Sequence, residues 1–202
     1  MDLSDVKTAA RNAAFAARKQ AFGQGLDAAA QAHLLAYLAN HPKAGIVSGY
    51  MPIRTEIDPL PVMQALVSQG RRLCVPVIDG ANRPLLFREW LPGCALVNGP
   101  FGAMVPETGD FLQPDLLIAP LLAFDLRGYR LGYGGGFYDR TLELLRAERP
   151  TLAVGFAYGA QQIPEVPIEP TDQRLDAIVT EAGQLPLHPA LPLDAPTSKR
   201  GL

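Results

Sequence analysis

The sequence predicts a layered α/β fold with a largely parallel central sheet flanked by helices. Three observations lead there. Short apolar runs bounded by Gly, Pro or Asp recur along the chain, as buried strands do. Segments with apolar residues at helical spacing lie between them, so strands and helices alternate. A chain of 202 residues with 48% hydrophobic and 19% charged content suits one globule. At that size folding buries roughly 70% of the unfolded surface, without disulfides or a structural metal.

Residues 4–22 form the first predicted helix. Val6, Ala9, Ala10, Ala13, Ala14 and Ala17 make its apolar stripe and Ser4 its expected N-cap. Lys7, Arg11 and Arg18, four and seven apart, share one face, with Arg18 read as a surface charge. Gly23 and Gly25 break the run, and a second helix is predicted over 27–40, turning Ala30, Leu34, Leu35 and Leu38 inward. Residues 44–50 read as a buried strand. Asp58 and Pro59, a cap followed by a first-turn proline, open a helix that Val62, Met63, Leu66 and Val67 carry to Gly70. Strands are predicted over 73–77, 85–90 and 115–119, a helix over 139–149, and strands over 151–157 and 175–180. Tyr50, Trp90 and Phe124 read as core or pocket wall. Residues 1–182 are predicted as a single domain. Beyond them Pro186, Pro189, Pro192 and Pro196 predict an extended or disordered tail over 183–202.

Composition excludes several functions. A net charge of −2 argues against nucleic acid as partner, because backbone binding wants a basic excess. No apolar run approaches the ~20 residues that span a bilayer, and the first residues lack the basic and apolar regions of a secretory signal, so the cytoplasm is the expected compartment. Cys74 and Cys94 match no zinc spacing and read as reduced, buried thiols. His33, His41 and His188 are scattered and match no metal-ligand pattern. Chemistry without a histidine base points toward reactions driven by a nucleoside triphosphate and by positioning.

The most informative stretch is Gly128-Tyr129-Arg130-Leu131-Gly132-Tyr133-Gly134-Gly135-Gly136-Phe137-Tyr138-Asp139-Arg140. Five glycines in nine positions let the backbone approach a ligand closely. Amide groups at the start of the helix that follows make a phosphate site. Arg130 adds a full charge, and Asp139 offers a hard oxygen of the kind Mg²⁺ prefers. The loop is neither a Walker A loop, lacking Gly-Lys-[Ser/Thr], nor a dinucleotide fingerprint, lacking the acidic partner.

This string resembles the signature of the 5-formyltetrahydrofolate cyclo-ligase (5,10-methenyltetrahydrofolate synthetase) family. Four further blocks resemble the family in order: Lys7 and Arg11, Thr55-Glu56-Ile57-Asp58, Phe101-Gly102 with Pro106-Glu107, and Thr171-Asp172-Gln173-Arg174-Leu175-Asp176. Many members read Glu-Pro where this chain has Pro106-Glu107, so Glu107 is left out of the site. The resemblance implies a fold similar to that of sugar-phosphate isomerases and coenzyme A transferases. It implies ATP-dependent cyclisation of 5-formyltetrahydrofolate to 5,10-methenyltetrahydrofolate, with release of ADP and phosphate. By the same resemblance, the formyl oxygen is expected to attack the γ-phosphate and N10 then the formyl carbon, with loss of phosphate. The resemblance assigns Lys7, Arg11, Arg130, Leu131, Gly132, Tyr133, Gly134, Gly135, Gly136, Phe137 and Tyr138 to ATP, with Arg130 and Tyr138 as the catalytic pair. Met51, Glu56 and Phe101 fall to the folate, which Tyr133 to Phe137 also border, and Asp139 and Asp172 to Mg²⁺. The expected partners are ATP and 5-formyltetrahydrofolate, with no nucleic acid and no membrane, on a monomer or weak homodimer. The competing readings are a non-catalytic phosphometabolite sensor on the same fold and a small-molecule kinase.

Overall fold

The computed structural model describes residues 2–189. Four helices, α1 (Leu3–Ala21), α2 (Asp27–Ala39), α3 (Leu60–Ser68) and α4 (Phe137–Glu148), alternate with eleven short strands. Seven strands form the central sheet: β1 (Ile46–Ser48), β2 (Arg72–Val77), β3 (Leu86–Glu89), β6 (Leu116–Ala119), β9 (Leu152–Phe156), β10 (Ala177–Thr180) and β11 (Gly183–Gln184). Their order is β11-β10-β9-β6-β1-β2-β3. The five inner strands run parallel, and β3 and β11 close the two edges antiparallel. Buried on both faces, the inner strands are near-continuous apolar runs, with every residue of β6 and β10 buried.

On one face α2 and α3 insert Leu34, Leu38, Val62, Met63 and Leu66 over Val47, Leu73, Leu116 and Val154. On the other, α4 lays Leu142 and Leu145 over Leu117, Ala119 and Ala153. Two hairpins stand outside the sheet: β4 (Leu96–Asn98) with β5 (Met104–Pro106), and β7 (Ala123–Phe124) with β8 (Arg130–Leu131).

Helix α1 departs from expectation in two ways. Its cap is Asp2, whose side chain accepts from the Asp5 amide in a reciprocal capping box, and Ser4 lies inside the helix. Its buried residues are Lys7, Ala14, Arg18 and Ala21, while Val6 is exposed. The face turned inward therefore carries cations as well as alanines: Lys7 and Arg18 meet a polar cleft, while Ala14 packs with Leu122, Ala123 and Leu131.

The domain also extends past residue 182. Gly183–Gln184 pair with β10, Leu185 and Leu187 pack against the α4 side of the core, and the His188 amide donates to the Leu126 carbonyl at 2.7 Å. The apolar side chains on either side of Pro186 anchor this segment. The remainder of the expected tail, 190–202, lies outside the described residues. Among the described residues no helix is long and apolar enough to cross a membrane.

The strand order locates the functional end of the sheet. The chain passes from β1 to β2 on one side, then returns to β6 on the other side of β1 and continues to β9 and β10. Connections thus leave in opposite directions around β1, and a crevice opens beyond the carboxyl ends of the strands at such a point.

Candidate active site

A cavity of about 400 Å³ occupies that crevice, a size typical of small-molecule sites. Its floor comes from the strand ends: Tyr50 and Met51 beyond β1, Pro76 and Ile78 at β2, and Pro120 beyond β6. The roof is the glycine-rich segment between β8 and α4, and α1 forms one wall through Lys7 and Arg11. Every residue that the sequence singles out for the site lines this cavity: Lys7, Arg11, Met51, Glu56, Phe101, the continuous run 130–139, and Asp172. The exposed Glu107 does not.

The glycine-rich segment is shaped by backbone that only glycine adopts easily. Gly134 has φ +99° and Gly136 φ +63°. A Cβ on Gly134 would lie 3.1 Å from Arg11 Nη2, so the arginine packs directly beneath the loop. Gly136 is the N-cap of α4 and brings no side-chain oxygen to the first-turn amides. Those amides stay available to an anion. Arg11 Nε donates to the Gly132 carbonyl at 3.1 Å, which fixes its guanidinium under the loop.

Cations and carboxylates are interleaved here. Arg130, mostly buried, donates to the Gln173 carbonyl and to Asp139 Oδ1, both at 2.8 Å. Lys7 Nζ lies 2.8 Å from Glu169 Oε2 and 3.1 Å from Asp172 Oδ2. Burial opposes the Lys7 charge, but hydrogen bonds to Glu169 and Asp172 outweigh it and the pKa stands above the ordinary lysine value. Lys7, Arg11, Arg54 and Arg130 face Glu56, Asp139, Glu169 and Asp172 around the cavity. The hydroxyl of Tyr138 is buried without a partner among the described residues, and burial pushes its pKa well above the usual tyrosine range.

At the opposite end Glu56 is buried at 6% exposure. Its Oε2 accepts from the Ile53 amide at 3.0 Å and its Oε1 from the Tyr133 hydroxyl at 3.0 Å. The carboxylate therefore points inward. The first-turn amide of α3 is served instead by Asp58, which accepts from Leu60 N at 2.9 Å. Burial pushes the Glu56 carboxyl above its ordinary value, while the Ile53 amide, Arg18 and Tyr133 pull it back. Tyr133 belongs to the glycine-rich loop, so its side chain links that loop to Glu56. At the mouth, Phe101 is 74% exposed and has φ +58°, with its ring 6.4 Å from that of Phe137. An exposed aromatic in left-handed backbone is uncommon, and the β4–β5 hairpin holds this one over the opening.

Arg18 is the largest correction to the sequence reading. It is 1% exposed and reaches Thr55, Tyr133 and Glu56 from beneath the cavity. Sequence reasoning also passed over Arg54 and Glu169, which line the site. Arg54 has φ +56° in a short turn, a conformation that its residue type does not announce. By contrast Cys74 is an inert core thiol, its pKa pushed up to about 12 by burial.

Known proteins share this chain's sequence pattern and fold. A sequence model of the 5-formyltetrahydrofolate cyclo-ligase family matches residues 5–181. The chain belongs to that family. Among its relatives, the 5-formyltetrahydrofolate cyclo-ligase of Escherichia coli K12 is 36% identical over 143 residues, 68% of this chain and 78% of the relative. The Haemophilus influenzae enzyme of that name is 33% identical over 141 residues, covering 67% and 75%. The solution structure of Aquifex aeolicus 5,10-methenyltetrahydrofolate synthetase superposes with a TM-score of 0.72 at 28% identity, over 96% of this chain and 99% of that one. A Mycoplasma pneumoniae 5,10-methenyltetrahydrofolate synthetase shares the fold, with a TM-score of 0.69 at 24% identity over 87% and 98%.

Proposed function

We propose that this chain uses ATP to close the ring of 5-formyltetrahydrofolate, giving 5,10-methenyltetrahydrofolate, ADP and phosphate. One observation carries the reading. A single cavity is lined both by the glycine-rich loop at the uncapped start of α4, which suits phosphate, and by the buried Glu56 carboxylate, which suits the pterin edge.

The N5-formyl group is an amide and a poor electrophile until its oxygen carries a phosphoryl group. Transfer of the γ-phosphoryl from ATP to that oxygen releases ADP. N10 then attacks the formyl carbon and loses its proton as phosphate departs, leaving the methenyl bridge. Phosphoryl transfer is served by positioning and charge neutralisation more than by a general base. Lys7, Arg11 and Arg130 supply the charge, and the backbone of 132–136 supplies donors beneath the phosphates. Glu56 accepts two hydrogen bonds from the amino-pyrimidine edge of the pterin, a bidentate match, while Met51 and Phe101 give apolar and stacking contact. Tyr138 stands beside Arg130; its hydroxyl, buried and without a partner among the described residues, would serve the phosphoryl oxygens only once turned toward the cavity.

Asp139 and Asp172 fit a magnesium ion in the form nucleotides bring it, bound by one or two carboxylates and by phosphate oxygens. Asp139 commits Oδ1 to Arg130 and the Gln173 amide, and Asp172 commits Oδ2 to Lys7 and the Glu169 amide. The other oxygen of each accepts no hydrogen bond among the described residues. No cluster of three His, Cys, Asp or Glu side chains among them forms an all-protein cage. The ion would screen the phosphate charge.

The test is growth of the methenyl absorbance when protein, Mg-ATP and 5-formyltetrahydrofolate are mixed. Omitting ATP or chelating the divalent ion should abolish it. Binding of both substrates without turnover would support a sensor, and ADP release without the chromophore would support a kinase.

A further inference from the structure

The buried cation on α1 has no part in the reading above. We infer that Arg18 is a positioning residue for folate recognition, holding Glu56 ionised and aimed through an ion pair and through the hydroxyl of Tyr133. This rests on Glu56 being the carboxylate that meets the pterin.

The geometry is a clamp on three elements. Arg18 Nε donates to Thr55 Oγ1 at 3.1 Å, and Nη2 donates to the Tyr133 hydroxyl at 2.8 Å. Nη1 has no hydrogen-bond partner among the described residues and lies 3.7 Å from Glu56 Oε1. Arginine only donates, so the Tyr133 hydroxyl must accept from it and turn its own proton outward. That proton meets Glu56 Oε1 at 3.0 Å. Donor directions are thereby fixed from α1 to the cavity. The guanidinium is also flanked by the rings of Phe15 and Tyr133, each 5.6 Å from it. Burying such a group is costly unless it is paired, and an apolar residue would pack this helix position more cheaply. The carboxylate beside the cavity accounts for the charge.

Electrostatics point the same way. The Ile53 amide, Arg18 from α1, Tyr133 from the loop and Arg54 from the turn before α3 all favour the ionised carboxylate, and Arg18 is the larger of the two cationic contributions. Burial opposes it, and the two buried phenols Tyr50 and Tyr138 face it as neutral groups. Asp58, on the same turn, faces the α3 amide of Leu60 instead. Arg54 is exposed, so solvent and salt weaken it. Arg18, shielded from both, is the cation that keeps Glu56 charged.

The experiment compares Arg18→Met, Arg18→Lys, Glu56→Gln and the Arg18→Met/Glu56→Gln double variant in the full chain, with kcat/KM for folate measured across pH. In Arg18→Met the acid limb of the folate profile should move to higher pH. Each unit by which the Glu56 pKa passes the assay pH costs about tenfold in kcat/KM. Raising the pH should restore part of the loss, the KM for ATP should hold within about twofold, and Arg18→Lys should return the limb toward its wild-type position. The double variant should lose no more than Glu56→Gln alone and show no acid limb. If Arg18→Met does not fold, Arg18→Gln, which keeps a donor but not the charge, takes its place. An unshifted pH profile in a variant that only melts earlier, while Glu56→Gln is impaired, overturns the inference alone. Wild-type efficiency in Glu56→Gln overturns the folate contact together with it.

Discussion

Replacing Glu56 by Gln is the sharpest single perturbation of the site, because the surroundings leave the amide no good orientation. With its oxygen toward the Ile53 amide, its NH₂ replaces the oxygen that Tyr133 and Arg18 address. Arg18 then loses its only carboxylate neighbour within 4 Å among the described residues. Flipped, the NH₂ meets the Ile53 N–H, donor against donor. Either way the pterin edge finds one acceptor and one mismatched donor where it had two acceptors. Loss of a buried charge-assisted pair costs about 2–5 kcal/mol, tens- to thousands-fold in kcat/KM for folate. The uncompensated guanidinium should also lower stability. The 3.7 Å separation and the surviving Tyr133 contact keep that to about 1–3 kcal/mol, or about 2–12 °C in Tm for a domain of this size. Kinetics should therefore be measured well below the melting range, with ATP saturating. A variant that melts earlier yet retains wild-type kcat/KM for folate would refute the reasoning and leave Glu56 a structural acid.

Three further predictions follow from particular contacts. Arg11→Ala should raise the KM for ATP by about tenfold or more and leave that for folate nearly unchanged, since the guanidinium lies beneath the phosphate loop; an unaltered ATP affinity would remove it from the site. Truncation after Gly183 should cost about 2 kcal/mol, seen as a drop of several degrees in Tm, because Leu185 and Leu187 leave the core surface; an unchanged melting curve would contradict that packing. Finally, activity and the Glu56 contribution to stability should slope in opposite directions with pH. The folded pKa lies above the ordinary 4.5, so the folded state holds this proton more tightly and the contribution is lost as pH rises through the folded value. Folate use needs the ionised form and should fall as pH drops through the same value. Parallel curves for the wild type and Glu56→Gln would rule this out.

What the sequence disclosed, and what it hid, follows from the range over which each feature is determined. The inner strands could be read because a strand buried on both faces must be apolar throughout. The glycine-rich segment could be read because its backbone needs residues without Cβ. The two hairpins and β11 could not. Strands of two or three residues carry too little pattern, and those of β4–β5 are half solvated, so tertiary contact makes them. Sheet order was equally hidden, since it depends on where each crossover lands.

Helix α1 shows the limit most clearly. Periodicity placed Lys7, Arg11 and Arg18 on one face; the resemblance drew Lys7 and Arg11 to ATP, and the rule that apolar faces turn inward left Arg18 to solvent. That rule assumes an apolar surface opposite the helix. Here the surface is a cleft holding Glu56, Glu169 and Asp172 together with the carbonyl of Gly132. These carboxylates lie far from α1 in the chain, in the turn before α3 and in the segment before β10, and folding alone brings them under it. A charge is expelled from an interior only when nothing there answers it. Lys7 and Arg18 stay inside because the partners that answer them are also the groups that line the site. The polarity of α1's inner face is therefore a property of the cavity, readable from sequence only once the fold has shown which acids stand across from it.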